Sequence, residues 1–367
     1  MKNLLLALFS ITLIACDRTE AMDPDTDPTM NDELYFPSIS GDDWDTLSAD
    51  SLGWDTSLLP DLESLLQDGD TRAFLLLKDG KIVLEYYYGK DLLGLTDFNK
   101  DRMWYWASAG KTLTGFTIGK AQEDGFLSIN EPSNLYLGAG WSSLTSDQEN
   151  NITIKNHLTM TTGLDDGVTN SDNTDPENLQ FKSDAGTRWA YHNAPYTILD
   201  QVVESAVGED FDSYFETVLA DKIGMEGMWS WVGDNHVYFS TPRSMARFGL
   251  LISNKGKWEN TVIMDDTDFI DASVTVSQDI NKSYGYLWWL NGQSSYMVPG
   301  LQLQLAGSLL PDAPNDMYSG LGKNGQYISI VPSENLVLVR MGDNPDQSLV
   351  PITYQNDIWK ILNEMRK

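Results

Sequence analysis

The 367-residue sequence contains one cysteine, Cys16, so no disulfide can form within the chain and no thiolate cluster is available for a metal. Histidine is nearly as scarce. His157, His192 and His236 are the only three, and none stands at the helical or hairpin spacing of a metal-ligand pair, which argues against a zinc site. Basic residues are also few, with 24 Lys and Arg against 54 Asp and Glu and a formal net charge of -30. No basic stripe breaks that balance. The charge therefore argues against nucleic acid or anionic membrane as a docking surface, because phosphate contacts need clustered cations. The acidic excess reads as a solvated surface. Beyond residue 14 no apolar run is long enough to span a bilayer, so the body of the chain carries no transmembrane helix.

What is present begins at the N-terminus. Met1-Lys2-Asn3 is a charged start and Leu4 to Ile14 an apolar run too short to cross a bilayer, the pattern of an export signal. Leu13-Ile14-Ala15-Cys16 then resembles the lipobox of bacterial lipoproteins, in which the cysteine is acylated and becomes the new N-terminus. The reading is a signal peptide over 1–15 and a lipid anchor on Cys16, which would hold the protein in the bacterial envelope, facing the periplasm or on the outer membrane. Residues 16–51 are rich in Asp, Pro, Ser and Thr and poor in apolar periodicity, and are expected to form an acidic flexible tether. The folded domain is expected over 52–367. Nothing in the pattern indicates an oligomeric state.

Ala73 to Leu77 and Ile82 to Tyr88 read as two strands joined by a tight Asp79-Gly80 hairpin turn. Helices are expected from Ser108 to about Asp124, Ile154 to Met160, Ala194 to Val207, Phe211 to Leu219 and Pro242 to Ser253. Strands return at Tyr284 to Leu290, Gln326 to Val331 and Leu336 to Met341, before a last amphipathic helix from about Tyr354 to Met365. Strands at both ends with helices between predict an α+β fold: an antiparallel sheet shared by the two chain ends, flanking helices, and a helical subdomain over about 112–280.

Three segments carry chemistry. Ser108-Ala109-Gly110-Lys111 places a hydroxyl and an amine one helical turn apart on the same face. A serine hydroxyl is a weak nucleophile until a base takes its proton, and a lysine serves only if burial or positive potential lowers its pKa. A helix N-terminus disfavours the ammonium and offers the backbone N–H of Ser108 to an oxyanion. Tyr191-His192-Asn193 puts a phenol and an amide on one side of an extended segment, the phenol as proton shuttle and the amide to hold Lys111 or a substrate carbonyl. Gly320-Leu321-Gly322-Lys323-Asn324-Gly325-Gln326 is a glycine-rich turn feeding a strand. The N–H of Gln326, or of a neighbour, is the candidate second oxyanion donor.

In order and spacing these segments resemble the serine β-lactamase and penicillin-binding protein superfamily, and most closely its class C β-lactamase-like branch of esterases, D-alanyl-D-alanine carboxypeptidases and aminohexanoate-oligomer hydrolases. The likeness runs from about Ala73 to Lys367 and includes Ile152 to Leu164, Phe181 to Asn193 and Ser240 to Gly249. It implies the two-subdomain β-lactamase/transpeptidase-like fold, with Ser108, Lys111 and Tyr191 as the catalytic set, no cofactor, and a small ester, amide or peptide as substrate. The pattern Gly-x-Ser-x-Gly of Ser-His-Asp hydrolases fails at Trp106. One departure matters. Where the branch's β-lactamases and carboxypeptidases carry Lys-Thr-Gly, this chain has Lys323-Asn324-Gly325, which reads as well as the turn of the esterases and amidases; with Asn193, these three are the candidate substrate-binding residues. The favoured expectation is an ester or amide hydrolase. Action on D-Ala-D-Ala or β-lactams, or a silent envelope binding protein of the same fold, are the alternatives.

Overall fold

Thr71–Lys78 and Lys81–Tyr87 form the expected hairpin, with Asp79 and Gly80 at φ of 51° and 82° in the turn that Asp-Gly favours. In the computed structural model, which describes residues 34–41 and 43–367, this hairpin enters a six-stranded antiparallel sheet. Its strand order is Lys81–Tyr87, Thr71–Lys78, Leu336–Gly342, Gln326–Val331, Tyr318–Gly322 and Trp289–Leu290. The two chain ends share one sheet and the fold is α+β, as the element order predicts.

Gln326–Val331 and Leu336–Gly342 are buried at every residue because both faces are covered. On one face Ser329 Oγ accepts from Gln355 Nε2 of the C-terminal helix Ile352–Met365 at 2.9 Å. On the other lies helix Pro242–Ser253, which approaches so closely that a Cβ on Gly249 would stand 2.5 Å from Val337 Cγ1. Arg340 is fully buried within this sheet. Its guanidinium donates to the carbonyls of Asn324, Gly325, Gly69 and Asp343 and to Thr71 Oγ1, so every face of the charge is satisfied by oxygen.

Several expectations change. Residues 34–51 are not a free tether. Trp44 is buried and donates to Gly80 O at 2.8 Å, Thr46 bridges to Ile82, and Phe36 meets Trp258 edge-on at 5.1 Å. At about 25 cal/mol per Å2, an indole burying roughly 200 Å2 contributes about 5 kcal/mol, enough to offset the ordering of a few residues. A segment polar on average is thus ordered by its few aromatics. Tyr284 to Leu290 is strand only at Trp289–Leu290, since Leu287 at φ 64° turns the chain back so that Tyr284 bridges Trp289. The helix expected from Ala194 to Val207 breaks into Asn193–Thr197 and Leu199–Val207, and the one from Phe211 widens into a π-turn at Glu216–Ala220. The middle region also carries a small sheet of Trp104–Tyr105, Asn235–Ser240 and Gly227–Val232. The signal peptide and Cys16 lie outside the described residues; within those residues no helix is long and apolar enough to cross a membrane.

Candidate active site

The small sheet positions the serine. Trp106 N donates to Tyr238 O at 2.8 Å and Trp106 Nε1 to Ser240 Oγ at 2.7 Å, fixing the chain one residue before the bend. Ala107 then takes φ 47°, a left-handed conformation that costs a residue with a Cβ on the order of 1–3 kcal/mol. That bend converts strand into helix: a 3-10 turn Ala107–Gly110 runs into helix Lys111–Glu123. Ser108 is half-buried in the first turn, where backbone N–H groups have no acceptor within the helix.

Lys111 is 4% exposed, with Nζ 3.3 Å from Ser108 Oγ and donating to Asn193 Oδ1 at 2.9 Å. The rings of Tyr196 and Tyr191 lie 4.1 and 5.3 Å from Nζ. Burial dominates its electrostatics and lowers its pKa to about 7, against the pull of the Asp172 carboxylate in the other direction. At neutral pH a large share of this lysine is a free amine beside a serine hydroxyl.

Tyr191 stands beside the same serine, whose side chain favours the phenolate without offsetting burial. Burial holds the phenol well above its ordinary pKa, so it is protonated at neutral pH, and Lys111, not Tyr191, is the group able to accept a proton. The Tyr191 ring is wedged between Trp289, stacked at 5.7 Å, and the edge of Tyr284 at 6.2 Å. His192 turns the other way, with Nε2 on Ser171 O at 2.8 Å, as alternation along an extended segment requires. Asn193 turns back to Lys111, and its Nδ2 donates to Asp172 Oδ1 at 3.0 Å. Asp172 is a site residue that the sequence reading missed. It sits in an irregular loop among Asp165, Asp166 and Asp175, and no spacing distinguishes it from them.

The structure brings together Ser108, Lys111, Tyr191 and Asn193 but not the third motif as expected. Lys323, Asn324 and Gly325 form a turn in which Asn324 has φ 62°. Asn324 Nδ2 donates to Tyr105 OH at 2.8 Å, Arg340 holds the Asn324 and Gly325 carbonyls, and Lys323 is exposed. Gln326 is fully buried, and its amide is closed on Gly342 through bonds of 2.7 and 3.0 Å. The preceding strand, Tyr318–Gly322, is what lies against the serine turn. A Cβ on Gly322 would stand 2.5 Å from Trp106 O, and one on Gly320 would stand 3.2 Å from Ala109 O. Glycine is required there because the two backbones touch.

Trp104, Trp106, Trp288 and Trp289 are all buried, as their apolar bulk suggests. Trp289 is also a wall. Its ring stacks on Tyr191 and also lines a cavity of about 260 Å3, together with Val298, Pro299, Leu309, Leu321, Ser348, Leu349, Val350 and Ile352.

Comparison with known proteins places this geometry in context. The family model described as Beta-lactamase matches residues 64–346. An uncharacterized protein of Alkalihalophilus pseudofirmus is 24% identical over 76% of this chain and 85% of its own length. Among solved structures, a Bacillus anthracis protein provisionally named a 6-aminohexanoate-dimer hydrolase superposes with a TM-score of 0.63 at 19% identity, covering 83% of each chain. A penicillin-binding protein from Bacillus halodurans superposes with a TM-score of 0.59 at 17% identity, covering 82% of this chain and 98% of that one. At such identities the superpositions establish the fold.

Proposed function

The chain belongs to the β-lactamase family, and from that premise we propose that it is a serine hydrolase cleaving a carboxylic ester or amide through an acyl-enzyme on Ser108. The observation that carries the reading is the buried Lys111 amine, with a pKa of about 7, within 3.3 Å of the Ser108 hydroxyl. Lys111 takes the proton as Ser108 Oγ attacks the substrate carbonyl carbon. The oxyanion is held by the N–H of Ser108 and by a backbone N–H of the strand Tyr318–Gly322, the segment that abuts the serine turn. Collapse breaks the bond to the leaving group, which takes the Tyr191 hydroxyl proton, and Lys111 returns its proton to Tyr191. Water, deprotonated by the same amine, then attacks the acyl carbonyl, the bond from that carbon to Ser108 Oγ breaks, and Lys111 passes the proton to Ser108 as the acid leaves.

The largely apolar cavity lined by Trp289, whose ring stacks on Tyr191, supports a substrate with an apolar acyl or leaving group. A carboxylate-bearing substrate such as a β-lactam or a D-Ala-D-Ala peptide needs a cationic or hydroxyl donor beside the serine. In the Lys323-Asn324-Gly325 turn, Lys323 is exposed and Asn324 is bonded to Tyr105. The test compares hydrolysis of short- and medium-chain p-nitrophenyl esters and of a chromogenic cephalosporin by the full chain and by Ser108→Ala. Ester turnover that vanishes in the variant is the expected result. Turnover of the cephalosporin alone transfers the assignment to β-lactam chemistry, and no Ser108-dependent turnover of any substrate leaves a binding protein.

A further inference from the structure

Asn193 bonds Lys111 through its oxygen and Asp172 through its nitrogen, at 2.9 and 3.0 Å. An amide can be reversed end for end, and something must decide which end faces the lysine. A lysine ammonium only donates and a carboxylate only accepts. The observed orientation satisfies both; the reverse sets two N–H donors against the ammonium and two acceptors against each other. When the lysine is a neutral amine it can donate or accept, and the carboxylate alone decides.

Asp172 is itself held on its other oxygen. Oδ2 accepts from Asn235 Nδ2 at 3.2 Å, and Asn235 opens the strand Asn235–Ser240 whose Tyr238 carbonyl pins Trp106 beside the serine turn. The surrounding loop is closed by the Leu164 to Phe181 bridge, the Arg188–Asp166 ion pair at 2.5 Å and the Asn173 to Asp234 bond at 3.1 Å. One carboxylate thus ties an irregular loop, the Tyr191–Asn193 segment and the serine turn to a common point.

We propose that Asp172 is a positioning residue: its carboxylate fixes the Asn193 amide with Oδ1 toward Lys111 and so holds the amine at Ser108. What the amine then does rests on the hydrolase reading above, whereas its placement does not. The groups facing Lys111 are Ser108, the Tyr191 and Tyr196 phenols and Asp172, with Asp200 behind Tyr196 on the next helix. Asp172 is the charge that favours the ammonium, so removing it lets burial act unopposed and lowers the pKa of Lys111.

The experiment follows the 13C signal of the Lys111 side chain in the full chain, assigned by its loss in Lys111→Met, together with Ser108-dependent ester turnover against pH. The parent titrates at about 7. Asp172→Asn, which removes the charge and lets the facing amide take either orientation, titrates about one pH unit lower. It loses about ten- to hundredfold in kcat with KM nearly unchanged, the size of one lost hydrogen bond to a charged group. Asn173→Ala, which releases the same loop from Asp234, leaves the titration in place. Asp172→Glu is the second variant: it keeps the charge but displaces it by a methylene, so kcat falls while the titration stays within about half a unit of the parent. If Asp172→Asn leaves the Lys111 titration unmoved, or changes kcat only as Asn173→Ala does, Asp172 merely anchors the loop and the proposal is overturned. Absence of ester turnover in the parent defeats the hydrolase reading instead, and the titration still decides the role of Asp172.

Discussion

At the scale of single residues the decisive quantity is the proton on Lys111. Burial depresses its pKa from 10.5 to about 7, so the neutral amine needed to activate Ser108 accumulates as pH rises through that value. Ester hydrolysis by the full chain is therefore expected to climb as a one-proton limb centred near 7, checked by kcat/KM measured across pH. A rate independent of pH from about 5 to 9 would defeat the assignment of Lys111 as base. The same burial works against stability. Below 10.5 the unfolded chain binds a proton that the native amine holds only below about 7, so this group's contribution to stability is unfavourable at neutral pH and improves as pH rises between the two values. Lys111→Met should thus abolish turnover while raising the melting temperature by a few degrees in calorimetry; a lower melting temperature would show that the amine is held favourably. Local periodicity put Ser108 with Lys111 and Tyr191 with Asn193 in the sequence, and it was the resemblance in order and spacing to the β-lactamase superfamily that joined the two pairs into one site. Asp172 was not legible there, because its significance arises only when a loop distant in sequence folds against Asn193.

At the scale of elements the site is made where a strand end meets a helix start. The left-handed Ala107 turns the chain, and Gly320 and Gly322 let the neighbouring strand lie against the result. Gly322→Ala places a Cβ 2.5 Å from the Trp106 carbonyl, which must shift and carry Ser108 with it. A displacement of that kind is expected to cut kcat/KM about a hundredfold while the circular dichroism of the sheet stays unchanged, and retention of full activity would remove this strand from the site. The glycines were read as room for a bound acyl group, whereas the structure sets Gly320 and Gly322 against the serine turn itself, and the choice between Gln326 and its neighbours was not available from the sequence. It depended on register, since Gly322 pairs with Gln326 across the ladder, and on Arg340 gathering the turn carbonyls from the next strand. The interrupted helix and the widened one are similar cases, because apolar periodicity continues through Ile198 and Glu216 while the regular α-helical hydrogen bonding does not.

At the scale of the whole molecule, location is a question for the N-terminus. The formal charge of -30 disfavours binding to an anionic membrane, so retention at the envelope would fall to the acylated Cys16 that the Leu13-Ile14-Ala15-Cys16 segment proposes. Cys16→Ser is expected to move the protein from the membrane to the soluble fraction of the producing bacterium, and an unmodified chain already in the soluble fraction would refute the anchor. Within the described residues, the sequence alone determined the sheet shared by both chain ends, the Asp79-Gly80 turn and the pairing of Ser108 with Lys111, because hydrophobic alternation, turn chemistry and helical spacing act over a few residues. Only the tertiary structure decided that residues 34–51 pack on the domain, that the lysine is buried enough to lose its proton near neutrality, and that Asp172 orients Asn193. Burial and the meeting of loops depend on what the rest of the chain brings alongside, and no local pattern encodes that.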